Sequence, residues 1–178
     1  MAEALLLAAV VALAICQPNT ARGAALPTAT TPPPAPPSAS QEFLDPHNQA
    51  RAAVGVAPLK WSDMLANATS RLVRYQRDKK GCQFAELSSG KYGGNQLWSS
   101  GMPVPPRAAV ETWVAEKQYY NYTDNSCEPN RKCGVYTQVV WSKSLELGCA
   151  QASCAKDQST LTICFYNPPG NVIGERPY

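Results

Sequence analysis

The chain has 178 residues, of which 44% are apolar and 16% charged. That is enough apolar mass for one packed core, and it excludes a wholly disordered chain. The net charge of +3 is too mild for a nucleic-acid binder, which needs a concentrated basic face. With a single histidine, His47, the chain cannot by itself build a two-histidine metal site or a His–His catalytic pair.

Residues 1–25 read as a secretory signal peptide. Leu5 to Ile15 is an apolar run of 11 residues, followed by the small residues Ala21, Gly23, Ala24 and Ala25. The run suits a signal-peptide core and is too short to cross a bilayer. The competing reading, a buried N-terminal helix, would show a striped face, whereas this run is apolar all round. No later stretch approaches spanning length, so no transmembrane segment is expected. Residues 26–40 follow as a linker. Six prolines fall within residues 27–40, with no charge and no aromatic, which indicates an extended, polyproline-like stalk or spacer.

Residues 41–178 form the folded part. The spacing predicts a helix over Gln41 to Val54, with Phe43, His47, Ala50 and Val54 on one face, and Pro46 tolerable only near its start. After a Ser62 cap, Trp61, Leu65, Ala68, Leu72 and Tyr75 form a second helical stripe. Arg107 to Tyr120 reads as a third helix. Beyond Gly134 the pattern turns β-branched and aromatic, and strands are expected at Val135–Trp141, Gly148–Ala152 and Thr160–Tyr166. Helices followed by strands indicate an α+β fold.

Arg71, Arg74, Arg77, Lys79 and Lys80 form a basic run broken only by Asp78. It reads as a solvated helix face, with attraction of anionic phosphates or wall polysaccharides as the functional alternative. Asn67-Ala68-Thr69 and Asn121-Tyr122-Thr123 are glycosylation sequons. Cys16 leaves with the signal peptide, and Cys82, Cys127, Cys133, Cys149, Cys154 and Cys164 remain. An even number in a secreted chain indicates disulfides. Two close cysteine pairs also admit a zinc reading, against which stand the oxidising compartment and the loose spacing.

Three stretches resemble the CAP superfamily, and within it the plant pathogenesis-related class 1 proteins. They are Asp45-Pro46-His47-Asn48-Gln49-Ala50-Arg51, the run from Cys133 to Trp141 (CGVYTQVVW), and the run from Cys164 to Asn171 (CFYNPPGN). Trp113-Val114-Ala115-Glu116-Lys117 fits between the first and second. Lys91 to Trp98 (KYGGNQLW) is most similar to a divergent floral or pistil-type branch. The resemblance covers residues 41–178. It implies an α-β-α sandwich with disulfides Cys82–Cys154, Cys127–Cys133 and Cys149–Cys164. It also implies a secreted protein of the apoplast or cell wall, acting in defence or reproductive tissue. A sterol, another lipid or a wall component is the implied partner, and a monomer the implied state.

The family's cleft carries two histidines and two glutamates, which hold a divalent metal in some members. His47 matches the first histidine and Glu116 the second glutamate. The first glutamate falls on Gly94 and the second histidine on Val135, which cannot ligate. Two ligands do not hold zinc tightly, and Asn95 and Gln96 are poor substitutes. No metal, no cofactor and no catalytic residue is therefore expected. By the same logic, Gly94→Glu with Val135→His would restore a metal site. His47 and Glu116 remain, either as a pair lining a binding cleft or as a structural histidine hydrogen-bonded by the glutamate. A hydrolase using His47 as base is the contrasting class. A third reading makes Pro168–Tyr178 a released defence-signalling peptide. Against it stands a tail packed over the sheet through Val172 and Ile173.

Overall fold

The Ser38 hydroxyl accepts a hydrogen bond from the Gln41 backbone N–H, and the Gln41 side chain accepts one from the Ser38 backbone N–H. This capping box opens the first helix, two residues ahead of the expected Gln41. The computed structural model describes residues 36–88, 90–154 and 158–178. The expected signal peptide, and the linker up to residue 35, lie outside the described residues.

In chain order the elements are α1 (Ala39–Ala52), β1 (Lys60–Trp61), α2 (Asp63–Lys79), β2 (Gly93–Ser99) and α3 (Pro106–Val114). They continue with β3 (Tyr120–Asn121), β4 (Ser126–Cys127), α4 (Gly134–Val139), β5 (Glu146–Cys154) and β6 (Ser159–Asn167). A 3-10 turn, Ala115–Tyr119, extends α3, so the expected third helix is split in two. The main sheet runs β1-β5-β6-β2, with β1 parallel to β5 and the other pairs antiparallel. β3 and β4 make a separate two-stranded ribbon.

Helices cover both faces of this sheet. On one face, Phe43, Val110, Trp113, Tyr136 and Val139 pack with Leu147, Cys164 and Tyr166. On the other, Val73 packs with Ala85, Ala152, Leu161 and Ile163. The fold is thus α+β, an α-β-α sandwich. The three implied disulfides are present: Cys82–Cys154, Cys127–Cys133 and Cys149–Cys164. The last joins directly opposed residues of β5 and β6.

Polar anchors shift two helical faces from their expected positions. In α2 the buried residues are Leu65, Thr69, Val73 and Gln76, one step round from the Ala68, Leu72 and Tyr75 stripe. Thr69 Oγ1 donates to Gly148 O at 2.9 Å, and Gln76 Nε2 to Gln83 O at 2.9 Å. Satisfied in this way, polar side chains can take buried positions. Gly148 permits the approach, because a Cβ there would lie 2.2 Å from Ala66 N. In α1 the buried set is Phe43, Pro46, His47 and Arg51. Pro46 stands inside the helix rather than near its start, so one helical hydrogen bond is missing.

The expected strand at Val135–Trp141 is a helix, α4, followed by a turn. Tyr136, Val139 and Val140 are buried at i, i+3 and i+4, a helical rather than an alternating pattern. Conversely, Gly93–Ser99 is a strand that its residue propensities do not indicate. Seven paired positions along β6 hold it.

The C-terminal segment is docked, but against α4 and the β3–β4 ribbon rather than over the sheet. Gly170 N donates to Gln138 Oε1 at 3.0 Å, and Ser142 N to Pro177 O at 2.6 Å. Tyr178 stacks on Tyr122 with ring centroids 4.6 Å apart. Val172 and Ile173, expected to dock, are exposed, Ile173 fully so.

Candidate functional site

His47 lies one turn after Phe43 and one turn before Arg51 in α1, so all three face inward together. Its Nδ1 stands 2.7 Å from the Phe43 carbonyl oxygen. A carbonyl can only accept, so Nδ1 carries the proton and donates. Nε2 is left as an acceptor, and the Tyr166 hydroxyl donates to it at 2.7 Å. Asn95 Nδ2 donates to that same hydroxyl oxygen at 3.1 Å and to Val135 O at 2.9 Å. The result is a directed chain from Asn95 through Tyr166 and His47 to the backbone of α1.

The imidazole has no exposed surface. Desolvation pushes its pKa down from 6.5 to about 4; the Phe43 carbonyl opposes this, and the Arg51 charge adds to it. Burial also drives the Tyr166 phenol far above its ordinary value. Histidine and tyrosine are therefore both neutral at neutral pH. Neither ring nitrogen has a free lone pair or proton to offer a substrate.

Glu116 occupies the 3-10 turn and is half-buried. Its carboxylate accepts from Val135 N at 3.3 Å and from Tyr136 N, which caps the first turn of α4. Desolvation raises its pKa, and the two backbone hydrogen bonds and Lys132 pull against that rise. The hydrogen bond expected between Glu116 and His47 is not formed, because both imidazole nitrogens are taken. The two residues have separate partners, His47 in α1 and β6 and Glu116 in the first turn of α4.

The positions matched to the missing ligands also resolve differently. A Cβ at Gly94 would lie 2.8 Å from Leu87 Cδ1, and Leu87 packs on the α2 side of the sheet. Strand side chains alternate, so the β2 residue that faces His47 is Asn95, not Gly94. Val135 joins the network through its carbonyl rather than its side chain. Among the described residues, no group of three or more His, Cys, Asp or Glu is placed to hold a metal ion.

Sequence reasoning missed Tyr166 as the partner of His47, Asn95 as the donor to Tyr166, and Arg51 as the buried cation one turn beyond. Arg51 is 1% exposed and donates to four carbonyls: Ala57 at 2.7 Å, Val139 at 3.1 Å, Trp141 at 2.8 Å and Ser144 at 2.9 Å. It closes the C-terminal end of α4 while Glu116 closes the N-terminal end. The four-residue step from His47 to Arg51 was the legible signal; Asn95 is revealed only by strand register.

An open cavity of about 320 Å³ lies elsewhere, between α4, the ribbon and the C-terminal segment. Tyr120, Arg131, Thr137, Asn171 and Glu175 are among its lining residues, and neither His47 nor Glu116 is. Both sequon asparagines reach solvent, Asn67 on α2 and Asn121 on β3, whereas Thr69 of the first sequon is buried.

The profile of the Cysteine-rich secretory protein family (CAP) matches residues 44–166. The chain belongs to the CAP family. Its domain is similar to the "STS14 protein" of Solanum tuberosum, 69% identical over 140 residues, or 79% of this chain and 65% of that protein. The chain thus spans just under two thirds of that relative's length. The "Pathogenesis-related protein PR-1" of Medicago truncatula is 47% identical over 141 residues, covering 79% of this chain and 80% of the relative. The solved structure of Na-ASP-1 aligns with a TM-score of 0.65 at 22% identity, over 79% of this chain and 41% of that one. This CAP domain is of the plant pathogenesis-related class 1 type.

Proposed function

We propose that this CAP protein is a secreted, non-enzymatic binding protein of the apoplast or cell wall, acting in defence or reproductive tissue. One observation carries the reading. The sole imidazole of the chain is sealed, neutral and doubly hydrogen-bonded, which removes His47 as a general base for hydrolysis. The names of the pathogenesis-related relatives support the defence assignment, and three disulfides suit an oxidising, extracellular setting. The ligand is a sterol, another lipid or a wall component. The cavity beside Arg131 and Thr137 is the candidate place for it, at the lower end of ligand-pocket sizes. Glu116 contributes by holding the first turn of α4, which lines the cavity, while His47 ties α1 to β6 behind it.

Two assays on purified protein test this. Capture of ligands from plant lipid and wall fractions, read by mass spectrometry, should return a specific compound. Hydrolysis of ester and peptide substrates should stay at background before and after chelation. Turnover that disappears with Glu116→Gln would replace the binding reading with the hydrolase.

The second reading is release of Pro168–Tyr178 as a signalling peptide. In its favour stands the exposed stretch from Asn171 to Gly174.

A further inference from the structure

The end of the sheet beyond the Cys82–Cys154 disulfide exposes large apolar side chains. Phe84 is 58% exposed, Trp98 42% and Met102 77%. Phe84 and Trp98 line one open groove of about 540 Å³ with Gly81, Cys82 and Gln83. The arrangement is held in place. Gln96 binds the backbone of Ala85 in both directions at 2.9 Å, which fixes Phe84 beside the edge strand β2. Cys82, bonded to Cys154, anchors the other side. Met102 follows β2 by three residues, in the loop next to Cys154. Aromatic and thioether groups held at the surface in this way have no role in the core, and clustered apolar exposure marks an interaction site.

The same end is positively charged. Lys79 and Lys80 immediately precede the groove, and Lys80 Nζ lies 5.9 Å from the Tyr75 ring centre. Arg71, Arg74 and Arg77 continue the charge along α2. Among the described residues, the ion pairs are Arg77–Asp78 and Lys143–Glu175; Arg74 and Lys79 also act on Asp78, so one carboxylate faces the run of five cations from Arg71 to Lys80. Glu86, on the following loop, is engaged with Ser88.

We infer that this end of the protein is an attachment surface for an anionic lipid bilayer. Phe84, Trp98 and Met102 enter the headgroup–acyl boundary, where aromatic rings are favoured, while Lys79 and Lys80 meet acidic headgroups. An acidic polysaccharide fits the charge less completely, since Phe and Met offer sugars little, whereas hydrocarbon takes both. The surface lies away from His47, Glu116 and the cavity beside α4. It concerns attachment to a membrane rather than capture of one ligand, and it does not depend on the function proposed above.

The test is sedimentation of the purified protein with phosphatidylcholine vesicles, with and without one quarter phosphatidylglycerol. Binding is expected only with the acidic lipid, with a blue shift of Trp98 emission and loss at high salt. Phe84→Ala with Trp98→Ala, and separately Lys79→Glu with Lys80→Glu, should each weaken it by about tenfold or more. All four side chains are exposed, so thermal melts should confirm that both variants fold. No binding to acidic vesicles would overturn the proposal. So would equal binding by the folded variants, or retention on polygalacturonate with no vesicle binding.

Discussion

The Tyr166 hydroxyl donates to His47 Nε2 over 2.7 Å, joining a central strand to a helix 119 residues earlier in the chain. This bond turns the one histidine from a candidate base into a fixed acceptor inside the core. Its folded-state pKa of about 4 lies below the unfolded value of 6.5, so the unfolded chain takes up the proton first as pH falls. The stabilisation is complete above pH 6.5 and is lost as pH falls from there towards 4. The expected loss is about 3 kcal/mol across that window. Glu116, with its pKa raised by partial burial, acts weakly in the opposite sense. Urea midpoints at several pH values should show the decline, and His47→Gln should flatten it. A wild-type midpoint that does not change between pH 7 and pH 4.5 would contradict the assignment.

Arg51 is predicted to matter as much to stability as any apolar core residue. Arg51→Met strands buried carbonyls on Ala57, Val139, Trp141 and Ser144. The expected cost is about 3 kcal/mol or more. Arg51→Lys recovers only part of this, because an ammonium cannot reproduce the planar fork. Chemical denaturation of both variants checks the order.

Metal chemistry provides a third test. The purified protein should hold no stoichiometric zinc by elemental analysis. Gly94→Glu with Val135→His should also fail to create a site, contrary to the expectation from sequence. The new carboxylate would project toward Leu87, on the opposite face of the sheet from His47. Tight zinc binding by this variant would show that β2 had changed register.

For the disulfides, thiol titration in denaturant without reductant should give no free thiol from the six paired cysteines. Replacing Cys82 and Cys154 by Ala should cost more than replacing Cys127 and Cys133, since the sequence separations are 72 and 6. Chain entropy puts the difference at about 2 kcal/mol. Thermal melts of the two double variants decide it.

The C-terminal segment should be cut at its exposed turn before it is released whole. Pro168 O accepts from Ser144 Oγ at 2.8 Å, and Gly170 N is held by Gln138, whereas Ile173 is fully exposed. Limited proteolysis of native protein should therefore cleave between Asn171 and Gly174 first. Mass spectrometry reads the fragments. An early, intact Pro168–Tyr178 peptide would favour the precursor reading, and its detection in apoplastic fluid after wounding would establish it.

The order of helical and strand patterns was enough to indicate an α+β fold, and the even cysteine count to indicate disulfides; the resemblance carried by the motifs implied the CAP domain and its three disulfide pairs. Periodicity, counts and short motifs are local features, so they survive without coordinates. Only tertiary structure decided the rest. Val135–Trp141 is β-branched and looks like a strand, yet it is helical because Glu116 and Arg51 close its two ends. Gly93–Ser99 has poor strand propensity, yet β6 supplies seven paired partners. Gly94 and Asn95 are neighbours in sequence, and the pleat sends them to opposite faces, so Asn95 alone reaches the histidine network. His47 and Glu116 looked like a pair because their two motifs match residues of one family cleft. Burial assigned them different work, since a desolvated imidazole takes the nearest fixed partners, here a carbonyl one turn away and a phenol from the sheet.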